Sequence, residues 1–399
     1  MANTLRCRVQ HKLLYLLIIS NSSLFFPIVV SNHYFRICHP TIKLTIDVYI
    51  YIYLICIYWC SSSVLFVLVD TTSIAAMKFF VLCLLLILMG CCCCESQSLK
   101  VGFYSNTCPQ AETIVHNVVR RAVISDQNMA AVLLRLHFHD CFVEGCDGSI
   151  LIDNGGNSEK NAFGHQGVRG FDVIERAKAQ LEGSCPGVVS CADIVALAAR
   201  DAIVMANGPM YEVETGRKDG LVSNATDAVA MPDVSDSIQL LNAKFFNKSL
   251  TQKDLVLLSA GAHTIGTTAC FFMTKRLYHF FPSGSGTDPS INPSFLPQLK
   301  ARCPKNGDVN VRIAMDEGSE TIFDKHILNN IRHNFAVLES DARLNDDIVT
   351  KSIIDSYFNI PIFGPSFEAD FIQSIVKMGQ IGVKTGFLGE IRHKCSKFN

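Results

Sequence analysis

Beyond residue 99, apolar positions recur every three or four residues, the spacing of one buried helical face. Residues 110–123 place Ala111, Ile114, Val118 and Ala122 on such a face, and 171–181, 192–206, 236–246 and 369–378 repeat the pattern. Residues 130–140 also read as a helix, and so do 254–268, where Leu255, Leu258, Ala262 and Ile265 keep the apolar spacing. Thr251, just before Gln252-Lys-Asp254, is placed to cap the latter, with Asp254 in its first turn. Strand-like alternation is short and confined to places such as 210–213, while 153–158 and 281–297 carry the Gly, Ser, Asn and Pro of loops. There is no repeat at a fixed period. The pattern predicts a mostly α-helical globule over 99–399, one domain built of two lobes.

The first 98 residues have another texture: apolar, tyrosine-rich and without helical period. They hold six basic and three acidic residues, against 29 and 33 in the remainder. Met77-Lys78 opens the apolar run 79–89, which is followed by Gly90, four cysteines and Glu95-Ser-Gln-Ser98. One basic residue, an apolar stretch of about a dozen and a small or polar end make the layout of a secretory signal peptide. That layout belongs at a chain start, so 1–76 reads as a spurious upstream extension, 77–98 as the signal, and 99–399 as the functional domain. The uncharged stretch 48–69 is long enough to span a bilayer and keeps a membrane anchor open as the rival reading.

Charge adds little: 35 Lys and Arg against 36 Asp and Glu give no sign of a nucleic-acid or acidic partner. Cysteine adds more. Of 17 cysteines, eight lie beyond residue 98: Cys108, Cys141, Cys146, Cys185, Cys191, Cys270, Cys303 and Cys395. An even set behind a signal peptide reads as a disulfide framework, and no C-x-x-C pair among the eight favours zinc. Eight cysteines allow about 105 pairings, and spacing does not choose among them. Asn224-Ala-Thr and Asn247-Lys-Ser are glycosylation sequons usable on the secretory route.

Two stretches carry chemistry. In Arg135-Leu-His-Phe-His139-Asp140 the arginine and second histidine are four residues apart and share a helical face. A neutral imidazole can carry a proton between two oxygens, and a guanidinium can stabilise charge on the leaving one. The same pair also fits a satisfied core histidine beside an ion-paired arginine. His137 must face elsewhere and reads as structural. The loop that follows offers Asp140, Asp147 and Ser149 side chains with the Val143 and Gly145 carbonyls, a set of hard oxygen donors suited to calcium. The alternative is a solvated acidic turn. A Cys141–Cys146 bridge would pin that loop, with about 2 kcal/mol of chain-entropy stabilisation. In Ser259-Ala-Gly-Ala-His263-Thr264, small residues around one histidine let a large flat group approach. An iron-ligating histidine needs an acceptor on its second nitrogen, and Asp341 is the candidate.

In order along the chain stand Phe103-Tyr-Ser-Asn-Thr-Cys-Pro109, Arg135-Leu-His-Phe-His-Asp-Cys-Phe142, Gly145-Cys-Asp147, Ser190-Cys-Ala-Asp193, Gly216-Arg-Lys-Asp219, Gly261-Ala-His-Thr-Ile-Gly266, Thr321-Ile-Phe-Asp324 and Gly389-Glu-Ile-Arg392. As an ordered set across 99–399 they resemble the class III secretory plant peroxidases. The resemblance implies a haem peroxidase fold, two helical lobes sandwiching haem b. His139 would be the distal base, Arg135 the stabilising cation, His263 the axial ligand with Asp341 as its partner, and Phe138 a haem neighbour. It implies a distal calcium with Glu159 joining through water, and a proximal calcium on Thr264, Asp316, Ser319, Ile322 and Asp324. Pro232 would line the donor site. The implied disulfides are Cys108–Cys185, Cys141–Cys146, Cys191–Cys395 and Cys270–Cys303, and Asp193 with Arg217 would be a structural ion pair.

The implied activity reduces hydrogen peroxide while oxidising phenolic or other small donors, as in cell-wall lignification or an oxidative stress response. The enzyme would be a secreted monomer of the apoplast or cell wall, with no membrane partner unless 1–76 are real. A non-catalytic wall protein retaining the fold is the alternative; it would be marked by loss of Arg135, His139 or His263, and all three are present. The chain also departs from the family. Glu159-Lys-Asn-Ala-Phe-Gly-His165-Gln-Gly-Val-Arg169 is one residue shorter, with His165 where an asparagine usually accepts from the distal histidine. A neutral imidazole can accept that bond and a protonated one cannot, so peroxide activation is expected to be more acid-sensitive. Tyr211 stands where the family has tryptophan, and Lys325-His-Ile-Leu replaces an aromatic pair; both read as packing changes.

Overall fold

The computed structural model describes residues 98–280, 286–359 and 364–399, together with four short strands nearer the N-terminus. The chain divides into two units, Met1–Glu95 and Ser96–Asn399. In the first, β1 (Leu5–Val9) pairs antiparallel with β2 (Lys12–Leu16), and β3 (Val30–Ser31) with β4 (Tyr34–Phe35). Residues 48–69 and 77–97, read as a possible span and as the signal, lie outside the described residues. Among the described residues no helix is long and apolar enough to cross a membrane.

The second unit is mostly helical, as its apolar spacing predicts. Helix α1 (Ala111–Ser125) turns Val115, Val118, Val119 and Ala122 inward. It packs with α2 (Met129–Cys141) and α3 (Phe171–Ser184) around α4 (Cys191–Met205). Helix α4 is buried from Cys191 to Ile203, and its five alanines between 192 and 202 let neighbours approach closely. Ser190 opens it by accepting from the Asp193 amide. Helix α5 (Ile238–Asn247) leads into α6 (Gln252–His263). There Thr251 and Asp254 form a reciprocal capping box: the hydroxyl accepts from the Asp254 amide at 3.2 Å, and the carboxylate from the Thr251 amide at 2.7 Å. Later helices are α7 (Thr274–Tyr278), α8 (Leu296–Arg302), α9 (His326–Arg332), α10 (Glu339–Arg343), α11 (Ile348–Asn359) and α12 (Phe367–Met378). One large apolar core joins most of them, and a smaller one gathers Met273, Leu277, Ile291, Phe295, Leu299 and Ile313.

Three expectations need correction. The helix expected over 254–268 stops at His263, because Gly266 adopts φ +89°, a left-handed conformation that ends the spiral. The chain then forms β7 (Thr267–Ala269), paired antiparallel with β8 (Arg312–Ala314). The short strand expected at 210–213 is instead β6 (Glu214–Thr215), paired with β5 (Lys100–Val101). The loop expected to run to 297 gives way to α8 at Leu296, since proline fits the first turn of a helix, where no amide partner is needed. Residues 281–285 of that loop lie outside the described ones.

Four disulfides tie the unit together: Cys108–Cys185, Cys141–Cys146, Cys191–Cys395 and Cys270–Cys303.

Candidate active site

A cavity of about 440 Å³ takes lining residues from both chemical stretches. Helix α2 contributes Arg135, Phe138 and His139, and the last turn of α6 contributes Leu258, Ser259, Ala262 and His263. Ala162, Phe163, Met231, Pro232, Phe245, Phe272 and Leu338 extend its apolar lining, while Arg169 and Arg312 bring further positive charge.

His139 is 5% exposed and its proton is placed by its neighbours. The Arg135 Nε–H donates to His139 Nε2 at 3.0 Å, so that nitrogen holds a lone pair. The proton then sits on Nδ1, which lies 2.7 Å from His165 Nδ1 and donates to it. His165 in turn carries its proton on Nε2, which points at Glu159 Oε1 at 3.6 Å. Burial lowers the His139 pKa well below its ordinary value, and Arg135 and His165 add to the effect. His165 is lowered to about 4, by burial first and Arg135 second. Both rings are neutral near pH 7. Arg135 Nη2 donates to the Gln166 carbonyl at 3.0 Å, which fixes its side chain beside the base.

His263 closes α6 with Nδ1 at 2.9 and 3.0 Å from the two oxygens of Asp341, 78 residues further along. Asp341 is fully buried, so the carboxylate holds the Nδ1 proton and leaves Nε2 as the lone-pair nitrogen. The small residues before His263 divide their work. Ser259 and Ala262 line the cavity, whereas a Cβ on Gly261 would lie 2.2 Å from the Phe371 ring. Gly261 therefore serves packing of α12 on α6 rather than the approach of a flat ligand. The cavity's size, its aromatic and aliphatic lining, and a histidine nitrogen backed by a buried carboxylate together fit a haem. Phe138 and Pro232 line that cavity, as the resemblance implies.

The proposed distal donors are also gathered. Asp140, Val143, Gly145, Asp147, Ser149 and Glu159 are all buried. Asp140 Oδ1, Ser149 Oγ and both Glu159 oxygens have no hydrogen-bond partner. Burial, with Asp147 next, raises Asp140, and burial with Asp140 raises Glu159 to about 9. Orphaned oxygens that repel one another are the donor set a hard cation relieves. On the proximal side the Thr264 hydroxyl oxygen lies 2.9 Å from Asp324 O, 3.3 Å from Asp316 Oδ2 and 3.5 Å from Ile322 O, with its one hydrogen shared among them. The Ser319 hydroxyl reaches Asp324 Oδ2 at 2.6 Å. Among the described residues no three His, Cys, Asp or Glu side chains are arranged to hold a metal ion by themselves, so the carboxylates of each set would need the carbonyl and hydroxyl oxygens beside them.

Elsewhere, Asp193 and Arg217 form a buried pair at 2.8 Å, with the Tyr104 hydroxyl on the second oxygen, away from the cavity. His137 is buried and lowered to about 3 by burial and then by Arg217. Sequence reasoning missed Arg169 and Arg312 on the cavity wall and His326, whose Nδ1 lies 2.9 Å from Asp316 Oδ1. It also missed two lysines at the distal loop. Arg169 and His326 fall in stretches noted for their departures from the family, but no spacing assigns any of these residues to a site; only the tertiary fold brings them in.

A family model described as Peroxidase matches residues 115–359. The chain is 66% identical to Peroxidase 43 of Arabidopsis thaliana over 304 residues, covering 76% of this chain and 93% of that protein. It is 57% identical to Peroxidase 13 of the same plant over 303 residues, or 75% and 93% of the two chains. With Peroxidase N1 of Nicotiana tabacum it shares 50% over 304 residues, or 76% and 91%.

Proposed function

The chain belongs to the class III plant peroxidases and is a haem enzyme acting on hydrogen peroxide, and we propose that His139, Arg135 and His263 carry its chemistry. The supporting observation is that base and cation from α2 and a carboxylate-backed histidine from α6 line one cavity. When bound, the haem supplies the two-electron reduction of peroxide and two one-electron oxidations of donor molecules. His139 Nε2 takes a proton from one peroxide oxygen and returns it to the other. Arg135, always charged, stabilises the leaving oxygen. Asp341 holds the His263 proton at Nδ1 and so leaves Nε2 as the nitrogen that would hold the iron. Haem b suits the wall because its two carboxylates would find Arg169 and Arg312.

The donors we propose are small phenolics, held at the apolar lining that includes Pro232, in cell-wall lignification or an oxidative stress response. Two calcium ions would complete the distal and proximal donor sets. Secretion to the apoplast or wall is supported by the signal-like segment after Met77, by four disulfides, and by exposed sequon residues Asn224 and Asn247. All eight cysteines beyond residue 98 are bridged within the chain, which suits a monomer.

The test is a haem absorption spectrum followed by peroxide. Wild type should convert to an oxidised form with peroxide, and His139→Ala should do so about 100- to 10,000-fold more slowly. Equal rates would remove His139 from the reaction, and no spectral change in wild type would overturn the assignment as a whole.

A further inference from the structure

The distal loop carries a cation of its own. Asp140, Asp147 and Glu159 are three carboxylates with at most 1% exposure each, gathered at one loop. The Lys384 ammonium contacts Asp147 Oδ2, the Ser149 amide donates to Oδ1 at 3.0 Å, and so both oxygens of that carboxylate are engaged. A second ammonium, that of Lys248, donates to the Val143 carbonyl at 2.8 Å, another of the oxygens assigned to calcium. The nearby Arg392 donates to the Gly148 carbonyl at 2.7 Å, but its charge is answered by Asp219 at 3.7 Å.

Lys384 is not a surface side chain that has wandered in. Its backbone is fixed against the loop. The Cys146 amide donates to Ile381 O at 2.9 Å, and the Lys218 amide to Lys384 O at 2.7 Å. A Cβ on Gly145 would lie 2.6 Å from Gly382 O, so the two segments touch backbone to backbone. The donor set is thereby split. Asp147 and Val143 have protein cations, whereas Asp140 Oδ1, Ser149 Oγ and both Glu159 oxygens have no hydrogen-bond partner.

We propose that Lys384 is a resident counter-ion of the distal loop, which competes with calcium for Asp147 and holds the loop when calcium leaves. The inference rests on the distal calcium reading above. Calcium affinity follows the charge and rigidity of its ligands. The Lys384 ammonium on Asp147, with that of Lys248 on the Val143 carbonyl, places positive charge against these donors before the metal arrives. A divalent ion then binds a site already partly neutralised, and binds it more weakly.

The experiment uses the haem-loaded enzyme as wild type, Lys384→Gln and Lys384→Arg. Calcium affinity is read by competition with a chromophoric chelator, bound calcium by metal analysis, and Tm in excess calcium and in chelator. Lys384→Gln should bind distal calcium about tenfold tighter, because one unit of repulsion is removed. In chelator it should melt below wild type, and in calcium the two should converge. Lys384→Arg, which keeps the charge, should follow wild type. The proximal donors are the same in all three proteins and cancel in the comparison. Equal affinities, or equal losses of Tm on chelation, overturn the proposal. Metal analysis that finds no distal calcium in any of the three overturns the calcium reading itself, which is a separate outcome.

Discussion

His165 changes what the distal base leans on. An asparagine amide would accept the His139 proton at its oxygen, whereas an imidazole accepts it at one ring nitrogen and carries its own proton at the other, toward Glu159. Because burial lowers His165 to about 4, the ring is neutral and accepting above that pH. As pH falls through about 4 it gains a proton, loses its lone pair, and leaves His139 Nδ1–H facing a cation. The rate of peroxide activation in wild type should therefore drop more steeply below about pH 5 than in His165→Asn. Rapid-mixing rates against pH in both proteins measure this, and superimposable profiles would rule it out. The substitution itself was legible in the sequence, since it interrupts a motif. Its geometry was not: nothing in the spacing places His165 Nε2 beside Glu159. Nor does spacing place Asp341 beside His263. Arg135 and His139 were legible for the opposite reason, because four residues on a helix bring side chains together without help from the rest of the fold.

Helix α6 shows what decides an element's ends. Its apolar period continues through Ile265, which is buried, and periodicity alone could not reveal that the helix had already stopped. The stop is set by Gly266, whose left-handed backbone also brings it against α2: an added Cβ would lie 2.4 Å from that of Ala131. The helix start was legible, because Thr251 and Asp254 are a local pair. Thr251→Ala removes the acceptor for the Asp254 amide and should cost about 1 kcal/mol, or about 2 °C in Tm. His263 lies at the far end of the helix, so the axial histidine's environment, read from the haem spectrum, should be unchanged. A shifted spectrum with unchanged Tm would contradict this division of labour. Asp254 has a larger part, since it also receives Ser374 at 2.9 Å and Lys377 at 2.7 Å from α12. Losing it should loosen the packing of α12 on α6 as well as the cap.

At the scale of the whole molecule, the disulfides bind distant segments in a way no local pattern announces. Eight cysteines could be read as a framework, but their pairing could not be read from spacing, because it depends on which chain ends the fold brings together. Two bridges bracket the range. Cys141–Cys146 closes a loop of five residues and pins the distal donors, whereas Cys191–Cys395 spans 204 and ties the C-terminal segment to the start of α4. On chain entropy alone, loss of the long bridge should cost about 5 kcal/mol and loss of the short one about 2 kcal/mol. The long bridge also holds the segment whose Arg392 donates to Gly148 and whose Lys384 meets Asp147, so its loss should loosen the distal loop from behind. Denaturant unfolding of Cys191→Ser/Cys395→Ser and Cys141→Ser/Cys146→Ser, each in calcium and in chelator, separates the contributions. Entropy predicts the larger loss for the long bridge in both conditions. If the short bridge proves the costlier in chelator alone, then loop geometry, rather than the size of the closed loop, governs stability at the distal site.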